Sequence, residues 1–311
     1  MIEATAPGKV ILFGEHAVVY GRPALAAPVT QLRARATIET TVGPGVRLVA
    51  PDLGREAWLA TARADNPLAV AVRAVERHAG RVVAPGTTLT VASAIPIASG
   101  LGSGAAIAVA VIRALSAFLS LDLPPGEVSA LAYEVERLHH GTPSGIDNTV
   151  IAYEQAVYFA RRQPANVIEP FALSRPLRLI IGDTGIRSAT KHVVGDVRAR
   201  WERERGRFEA IFDACGEIAE AGRGALARGD TAAVGRLMSE NHVWLARMGV
   251  SSAELDRLVA AAQAAGALGA KLSGAGWGGN MIALVEADSE AAVAGALRAA
   301  GAARLHLSDV R

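Results

Sequence analysis

The chain has 311 residues, of which 51% are hydrophobic and 20% charged; this composition excludes intrinsic disorder and predicts one large or two modest globular domains. Its one cysteine, Cys215, excludes an intrachain disulfide and a cysteine-rich zinc site. The net charge is +2 and the basic residues are spread along the sequence, which argues against a nucleic-acid surface and favours a small-molecule ligand. The first residues do not resemble an export signal, so we expect a cytoplasmic protein.

In the first half of the chain, the sequence pattern predicts mostly strands and then mostly helices. Apolar runs or alternating patterns predict strands over residues 3–14, 31–40, 46–51, 86–95 and 156–160. Helical character is present over residues 66–79, 104–121 and 124–141, the last of these starting with prolines and ending at Gly141. Because residues 104–121 are apolar nearly all round, we expect that helix to be buried.

A polar stretch over residues 161–170 separates this half from the second. The second half begins with the strand-like residues 177–183, continues through amphipathic helices to Ala265, and ends as strand, loop, strand, helix, strand. Strands and helices do not alternate regularly, so we predict an α+β protein with domains over residues 1–163 and 164–311. The apolar helices after Arg207 fit either a homodimer face or the core.

Residues 94–112 carry no charge, and their number is about that needed for a membrane span. Pro96 and the following "ASGLGSG" place a proline and a flexible loop where a span needs continuous helix. We therefore expect a glycine-rich loop leading into a buried helix, and no membrane association.

Three segments could carry chemistry, and the first is "APGKVILFGEHAVVYG", residues 6–21. Lys9 stands at one end of an apolar strand, and Glu15 and His16 stand at the other. A fixed cation and a polar pair could contact a ligand. The alternative interpretation makes Lys9 an edge-strand charge and His16 a hydrogen-bonded turn residue.

The second segment is "PIASGLGSGAA", residues 96–106, in which a glycine-rich loop runs straight into a helix. Its glycines let the backbone approach a ligand, and the N–H groups at the helix start favour an anion such as phosphate. No Gly-Lys-Ser/Thr follows, so this is not a Walker loop and a cation must come from elsewhere. The alternative is a plain strand-to-helix turn.

The third segment, Glu134 to Asn148, places Glu136 near a helix end, with Ser144, Asp147 and Asn148 after the next turn. Two carboxylates so arranged could serve a metal–nucleotide site, one binding the cation and one receiving a proton. The alternative is a solvated helix residue and an N-cap.

A fourth segment, "GAGWGG" over residues 274–279, matches the dinucleotide pattern G-x-G-x-x-G. The residues after it predict a strand, whereas a dinucleotide site needs a helix there, so we expect a tight loop between strands instead.

Taken in order, "APGKVILFGEH", "PIASGLGSGAA" and "KLSGAGWGG" resemble the three motifs of the GHMP kinases, and the resemblance covers the whole chain. Within that family, "GEHAVVYGRPALA" and "HGTPSGIDN" are most similar to the mevalonate kinase branch. The resemblance implies a ribosomal-protein-S5-like N-terminal domain and a ferredoxin-like C-terminal domain. It also implies ATP-dependent, Mg²⁺-assisted phosphorylation of the 5-hydroxyl of mevalonate, on the route to isoprenoids.

Site residues follow from the same resemblance by position in the motifs. Asp147 matches the catalytic aspartate, Lys9 the lysine beside it, and Glu136 the Mg²⁺ carboxylate, with Ser103 as a second metal ligand. The implied nucleotide-binding residues are Pro96, Ala98, Ser99, Gly100, Leu101, Gly102, Ser103, Gly104 and Ala105. The implied substrate-binding residues are Glu15, His16, Ser144, Thr190, Gly274 and Ala275, with Gly276 in the same loop.

The sequence departs from the family pattern at two positions. Gly104 replaces the second serine of the second motif, so Mg²⁺ binds either with Ser103 or water in that place or through Glu136 and phosphate oxygens alone. Trp277 replaces a glycine of the third motif, where its ring either narrows the substrate pocket or packs outward.

Two alternative functions remain open. Arg187 and Lys191 would suit a phosphomevalonate kinase, because a phosphorylated substrate needs further cations. A non-catalytic nucleotide-binding protein on the same fold is the alternative from another class.

Overall fold

The computed structural model describes residues 1–96, 100–140 and 143–310, with the backbone alone for residues 138–140. The chain divides into two compact units. Unit 1 consists of Met1–Gly8, Leu32–Ile97 and Gly102–Glu154, and unit 2 of Lys9–Gln31, Ala98–Leu101 and Gln155–Arg311. The predicted domain boundary at residue 163 stays a prediction.

The strands are β1 Ile2–Phe13, β2 Pro23–Thr40, β3 Val46–Ala50, β4 Arg55–Trp58, β5 Thr87–Ser93, β6 Ala156–Ala160, β7 Val167–Phe171, β8 Leu177–Asp183, β9 Gly269–Ser273, β10 Asn280–Val285 and β11 Arg304–Val310. The α-helices are α1 Pro67–Ala79, α2 Ser103–Phe118, α3 Pro125–His140, α4 Ile146–Tyr153, α5 Thr190–Arg203, α6 Arg205–Arg228, α7 Thr231–Met248, α8 Ala253–Ala264 and α9 Glu290–Ala299. Two short 3₁₀ helices cover Ala17–Tyr20 and Pro51–Leu53. Strands β1 and β2 pair with each other, and each contributes residues to both units.

Unit 1 joins strands in the order β4-β3-β5-β2, with β3 and β5 parallel. Its helices α1 to α4 pack on one another, and α2 is largely buried, as its apolar sequence predicts. Helix α1 starts at Asn66, whose side-chain oxygen accepts from the N–H groups of Leu68 and Ala69, while Pro67 occupies the first helical position. These local signals explain why the start of this helix is predictable from sequence.

Unit 2 contains a four-stranded antiparallel sheet in the order β11-β8-β10-β9. Its elements follow the chain order β8, helices, β9, β10, α9, β11, which is the ferredoxin-like arrangement. This order confirms the predicted ferredoxin-like C-terminal domain. Helix α7 covers the edge strand β9 at very close range. A Cβ built on Gly269 would lie 1.8 Å from the carbonyl oxygen of Gly235, so only glycine fits there.

Two elements differ from the sequence predictions. The predicted polar connection contains β7, which pairs antiparallel with β6, because Val167, Ile168 and Phe171 supply half-buried apolar positions within it. No helix was predicted between Pro143 and residue 156, where the structure forms α4, whose left-handed start at Gly145 has a φ of 93°.

The apolar positions after Arg207 lie in the core of unit 2, where Phe208, Phe212 and Cys215 are fully buried. The same helices therefore contribute to packing within the unit. Among the residues that the structure describes, no helix combines the length and the apolar character that a bilayer crossing requires.

Candidate functional site

The three sequence motifs meet within unit 2. The backbone N–H of Ile11 donates to the Ser273 hydroxyl at 3.1 Å, and that hydroxyl is 3.2 Å from the carbonyl oxygen of Ile11. The backbone N–H of Lys9 donates to the Leu101 carbonyl at 3.0 Å. The first motif is therefore hydrogen-bonded to both of the others.

The backbone at Gly100 of the second motif also lies close to the backbone at Gly274 of the third motif. A Cβ on Gly100 would lie 3.3 Å from the Ser273 carbonyl oxygen, and one on Gly274 would lie 3.4 Å from Gly100 Cα. Both residues have φ values in the left-handed region, +86° and +103°. Glycine is needed at both positions for close approach and for backbone conformation, as expected of loops that bring backbone N–H groups to a ligand.

His16 fixes the corner after β1 to the third-motif loop. Its Nε2 lies 2.8 Å from the Ala275 carbonyl oxygen, so this nitrogen carries the proton and donates. The residue is 7% exposed, and burial lowers the pKa of His16 to about 4 even though the Ala275 hydrogen bond opposes the shift. The ring is therefore neutral at physiological pH and acts as a hydrogen-bond donor.

This His16 pKa predicts a pH-dependent stability. Because the folded pKa of about 4 lies below the ordinary 6.5, the unfolded chain binds more protons and stability falls as pH drops from about 6.5 to 4. From pH 7 to pH 5 we expect His16 to account for a loss of about 2 kcal/mol in the free energy of unfolding. Urea midpoints at the two pH values should fall further for the unmodified protein than for His16→Asn, in which asparagine tolerates the left-handed φ of 58°. An equal fall in both proteins would contradict the assignment.

Glu15, next to His16, forms a buried ion pair with Lys271 of β9. Lys271 is not among the site residues predicted from the sequence. The signal was present, because a charged residue interrupts the apolar strand that leads into the third motif.

In unit 1, Glu136 lies against the first turn of α2. A Cβ on Gly104 would lie 3.3 Å from Glu136 Oε1, and Glu136 is 5% exposed. Ser103 begins the helix after Gly102, which has a left-handed φ of 73°. The helix start thus brings together two of the residues predicted to bind metal, Glu136 and Ser103, with the departure Gly104 beside the carboxylate.

Asp147 lies in the first turn of α4, where its negative charge interacts favourably with the helix dipole. The neighbouring Asn148 anchors this turn to α3, because its side-chain nitrogen donates to the Ser129 carbonyl at 3.0 Å and to the Ser129 hydroxyl at 2.8 Å. Thr149 donates to the Gly145 carbonyl at 2.7 Å. Helix α3 therefore carries Glu136 and also holds the turn that carries Asp147.

The remaining predicted residues that the structure describes differ in exposure. Ser144 is half-buried and its hydroxyl accepts from the Ile146 N–H at 3.3 Å. Thr190 is exposed at the start of α5, two residues after Ser188, whose hydroxyl donates to the Gly276 carbonyl at 2.6 Å. Pro96 is half-buried and Ala105 is buried, whereas Ala98, Ser99 and the helix end predicted at Gly141 lie outside the described residues.

Trp277 is held on the turn that follows α7. Its indole Nε1 donates to the Gly249 carbonyl at 2.9 Å, its backbone N–H donates to Val250 at 2.8 Å, and 36% of the residue is exposed. These contacts account for a bulky residue at a φ of 55°.

A metal site made only of protein side chains is not found among the described residues, since none of their His, Cys, Asp and Glu side chains form a group of three or more. A cation at Glu136 would need oxygen atoms from a bound ligand. That is how Mg²⁺ is usually held, through one or two carboxylates together with substrate phosphates.

Family models match two regions of the chain. The model of the GHMP kinase N-terminal domain matches residues 66–155, and the model of the GHMP kinase C-terminal region matches residues 223–303.

The chain is also similar to curated relatives and to solved structures. The mevalonate kinase of Thermococcus sibiricus is 37% identical, with 96% of this chain and 93% of the relative aligned. A crystal structure of L. major mevalonate kinase in complex with R-mevalonate is 32% identical with a TM-score of 0.85, covering 99% of this chain and 95% of that one. Streptococcus pneumoniae phosphomevalonate kinase, in complex with phosphomevalonate and AMPPNP, is 19% identical with a TM-score of 0.83 over 99% of this chain and all of that one, a likeness of fold alone.

Proposed function

Because the chain belongs to the GHMP kinase family, whose members are ATP-dependent small-molecule kinases, we propose that it is a mevalonate kinase that phosphorylates the 5-hydroxyl of (R)-mevalonate. The observation that carries the proposal is the similarity, over nearly the whole chain, to an enzyme whose structure contains R-mevalonate. The meeting of the three motifs in unit 2 supports it, because glycine-rich backbone is thereby gathered for a phosphate-bearing ligand.

The ATP phosphates bind, in this proposal, along the second motif and the start of α2. The helix N-terminus offers unpaired N–H groups and a partial positive charge. Gly100 and Gly102 adopt left-handed φ values that side chains rarely tolerate. The full set assigned to the nucleotide is Pro96, Ala98, Ser99, Gly100, Leu101, Gly102, Ser103, Gly104 and Ala105.

Glu136 and Ser103 are the residues assigned to Mg²⁺, and their chemistry fits. Both provide hard oxygen donors, and Glu136 of α3 lies against the start of α2, which Ser103 begins. Bound there with ATP, Mg²⁺ would neutralise charge on the phosphate oxygens. Gly104 lacks a hydroxyl, so the protein ligands of a bound Mg²⁺ would be Glu136 and Ser103, without a third oxygen from position 104.

Asp147 accepts the proton of the substrate hydroxyl as the new O–P bond forms and ADP leaves with the electrons of the broken bond. Lys9 stabilises the negative charge on the transferring group. In such reactions, positioning and charge contribute more than base strength. His16, Ser144, Thr190, Gly274 and Ala275 are assigned to the substrate. Glu15, at 1% exposure, belongs to the same pocket through the corner that it shares with His16 and not as a direct contact.

One assay tests the proposal against its alternatives. ADP release should be measured in parallel with mevalonate, phosphomevalonate, homoserine and galactose, and we expect turnover with mevalonate. Turnover with phosphomevalonate instead would favour the alternative in which Arg187 and Lys191, both exposed, bind a second phosphate. No turnover with any substrate would overturn the kinase assignment and favour a non-catalytic nucleotide-binding protein.

Gly104→Ser should strengthen Mg²⁺ binding. The new Cβ would lie 3.3 Å from Glu136 Oε1, a slightly tight contact. The Glu136 carboxylate is the end of a flexible side chain and can shift slightly to relieve it. A hydroxyl there adds a hard oxygen ligand, so we expect the Mg²⁺ concentration for half-maximal activity to fall severalfold. Gly195→Ser, on exposed helix α5 with open space at its Cβ, is the matched control. An unchanged Mg²⁺ titration in Gly104→Ser would contradict the placement of the metal.

A further inference from the structure

Lysine is rare in this chain and occurs only at Lys9, Lys191 and Lys271, against 29 arginines. Arginine therefore provides nearly all of the positive charges at the surface. Lys9 is 3% exposed and Lys271 is 0% exposed, so two of the three lysines are buried. A compact ammonium differs from the planar guanidinium in size and hydrogen-bond geometry, and burial of a lysine in so arginine-rich a chain indicates a position that arginine does not fill.

Lys271 is enclosed in a polar cluster inside unit 2. Its Nζ donates to Glu15 Oε1 and, at 2.7 Å, to the carbonyl of Leu272. The cluster also contains Cys215 and Asn241, whose side-chain nitrogen lies 3.6 Å from the Cys215 sulfur. Burial raises the pKa of Glu15 and lowers the pKa of Lys271, and the attraction between the two charges opposes both shifts.

Stability alone does not account for this pair. Removing two charges from water costs about as much as their attraction returns, so well-packed apolar residues would serve stability equally well or better. The second carboxylate oxygen of Glu15, Oε2, is buried and has no hydrogen-bond partner among the residues that the structure describes, which adds a further cost. The pair must therefore contribute something that apolar packing does not.

The ion pair between Glu15 and Lys271 attaches the corner after β1 to strand β9 in a fixed orientation. Glu15 lies in the corner after β1, next to His16, and Lys271 lies in β9, two residues before the end of this strand, which leads into the loop that contains Ala275. The hydrogen bond from His16 to Ala275, 2.8 Å long, joins the same corner to the same loop. Movement of β9 along its axis would break both attachments together.

The backbone of Leu272, the residue after Lys271, is also held by His242 of α7. The backbone N–H of Leu272 donates to His242 Nδ1 at 3.3 Å, and His242 Nε2 lies 3.1 Å from Asp256. With Nδ1 accepting, Nε2 carries the proton, so one neutral tautomer satisfies both bonds. Leu272 is thus held through its N–H by His242 and through its carbonyl by Lys271.

We propose that Lys271 is a positioning residue that acts through Glu15 and holds the corner with His16 and the loop with Ala275 in the arrangement that binds the substrate. The inference rests on the proposed function, in which both segments contact mevalonate. Lys271 and Glu15 are almost wholly inaccessible, so the pair acts on the substrate site through the backbone that it orients.

The decisive variant is the neutral pair Glu15→Gln with Lys271→Met. The single change Lys271→Met leaves a buried carboxylate without its cation and is expected to destabilise the fold. The double variant removes both charges at nearly constant volume, and we expect a Tm close to that of the unmodified protein. Arg175→Met with Glu286→Gln removes a more exposed ion pair, 3.0 Å long, from the same unit and is the control.

Two measurements on the double variant separate positioning from a merely structural role. We expect KM for mevalonate to rise roughly tenfold or more, because misplacement of binding groups is costly, while KM for ATP stays within a small factor. We also expect faster hydrogen exchange in peptides covering residues 9–20 and 269–280, whose amides depend on these attachments. The control should change neither quantity.

The inference is overturned if the folded double variant keeps both KM for mevalonate and the exchange rates of these two segments, or if the control changes them equally. The unmodified protein in the same assay tests the proposed function separately. If it fails to turn over mevalonate, the proposed function fails, and the exchange comparison still decides whether Lys271 holds the two segments.

Discussion

In Asp147→Asn we expect kcat to fall by roughly a hundredfold or more, because the amide cannot accept the proton of the substrate hydroxyl. The change is nearly isosteric, and the neighbouring Asn148 keeps its hydrogen bonds to Ser129, so α4 should remain in place. KM for mevalonate and for ATP should change far less than kcat. Steady-state measurement of ADP release over both substrate concentrations checks this prediction.

The matched control is Asp122→Asn, the same chemical change on an exposed carboxylate of unit 1. It should retain the kcat of the unmodified protein. If Asp147→Asn also retains near-normal turnover, Asp147 is not the proton acceptor, and the transfer relies on positioning and charge alone.

In Lys9→Met we expect kcat to fall by about a hundredfold to a thousandfold, the usual cost of losing one group that stabilises developing negative charge. Methionine retains the length of the side chain, and the bond from the backbone N–H of residue 9 to the Leu101 carbonyl does not need the ammonium. The loss should therefore appear in kcat rather than in the fold. Circular dichroism and Tm, measured with the kinetics, check that distinction.

Arg175→Met provides the control for Lys9→Met, since it removes a half-exposed cation of the same unit. A Lys9→Met protein that remains folded and turns over at the normal rate would exclude the ammonium from catalysis. A loss confined to KM for ATP would also contradict the prediction, because it would place Lys9 in ground-state binding of the nucleotide.

Much of the fold could be predicted from sequence where the signal was local. Residues 156–160 and 177–183 coincide with β6 and β8, and α2 is buried as its all-round apolar character predicts. The strand predicted after the glycines of residues 274–279 is β10, which confirms that this loop does not lead into a helix. In each case the period of the apolar residues, or a glycine or proline at a boundary, carried the information.

Two elements were not predicted, because their local signal was weak or misleading. Strand β7 lies in a stretch that reads as a polar connection, because its apolar residues are few and only pairing with β6 makes them a strand. Helix α4 follows a turn rich in glycine and proline, and side-chain hydrogen bonds from Asn148 and Thr149 hold its start. Neither interaction can be read from periodicity.

By itself, the sequence determined the identity of the three motifs, the residue types available for chemistry and most strand and helix positions, since these depend on neighbours within a few residues. Only the tertiary structure decided which distant groups meet. Glu15 and Lys271 are separated by 256 positions, as the backbone of Ile11 and the Ser273 hydroxyl are by 262. Such contacts depend on the path of the whole chain, which composition and periodicity do not specify. The sequence marks Lys271 as a charge in an apolar strand, but only the fold identifies Glu15 as its partner.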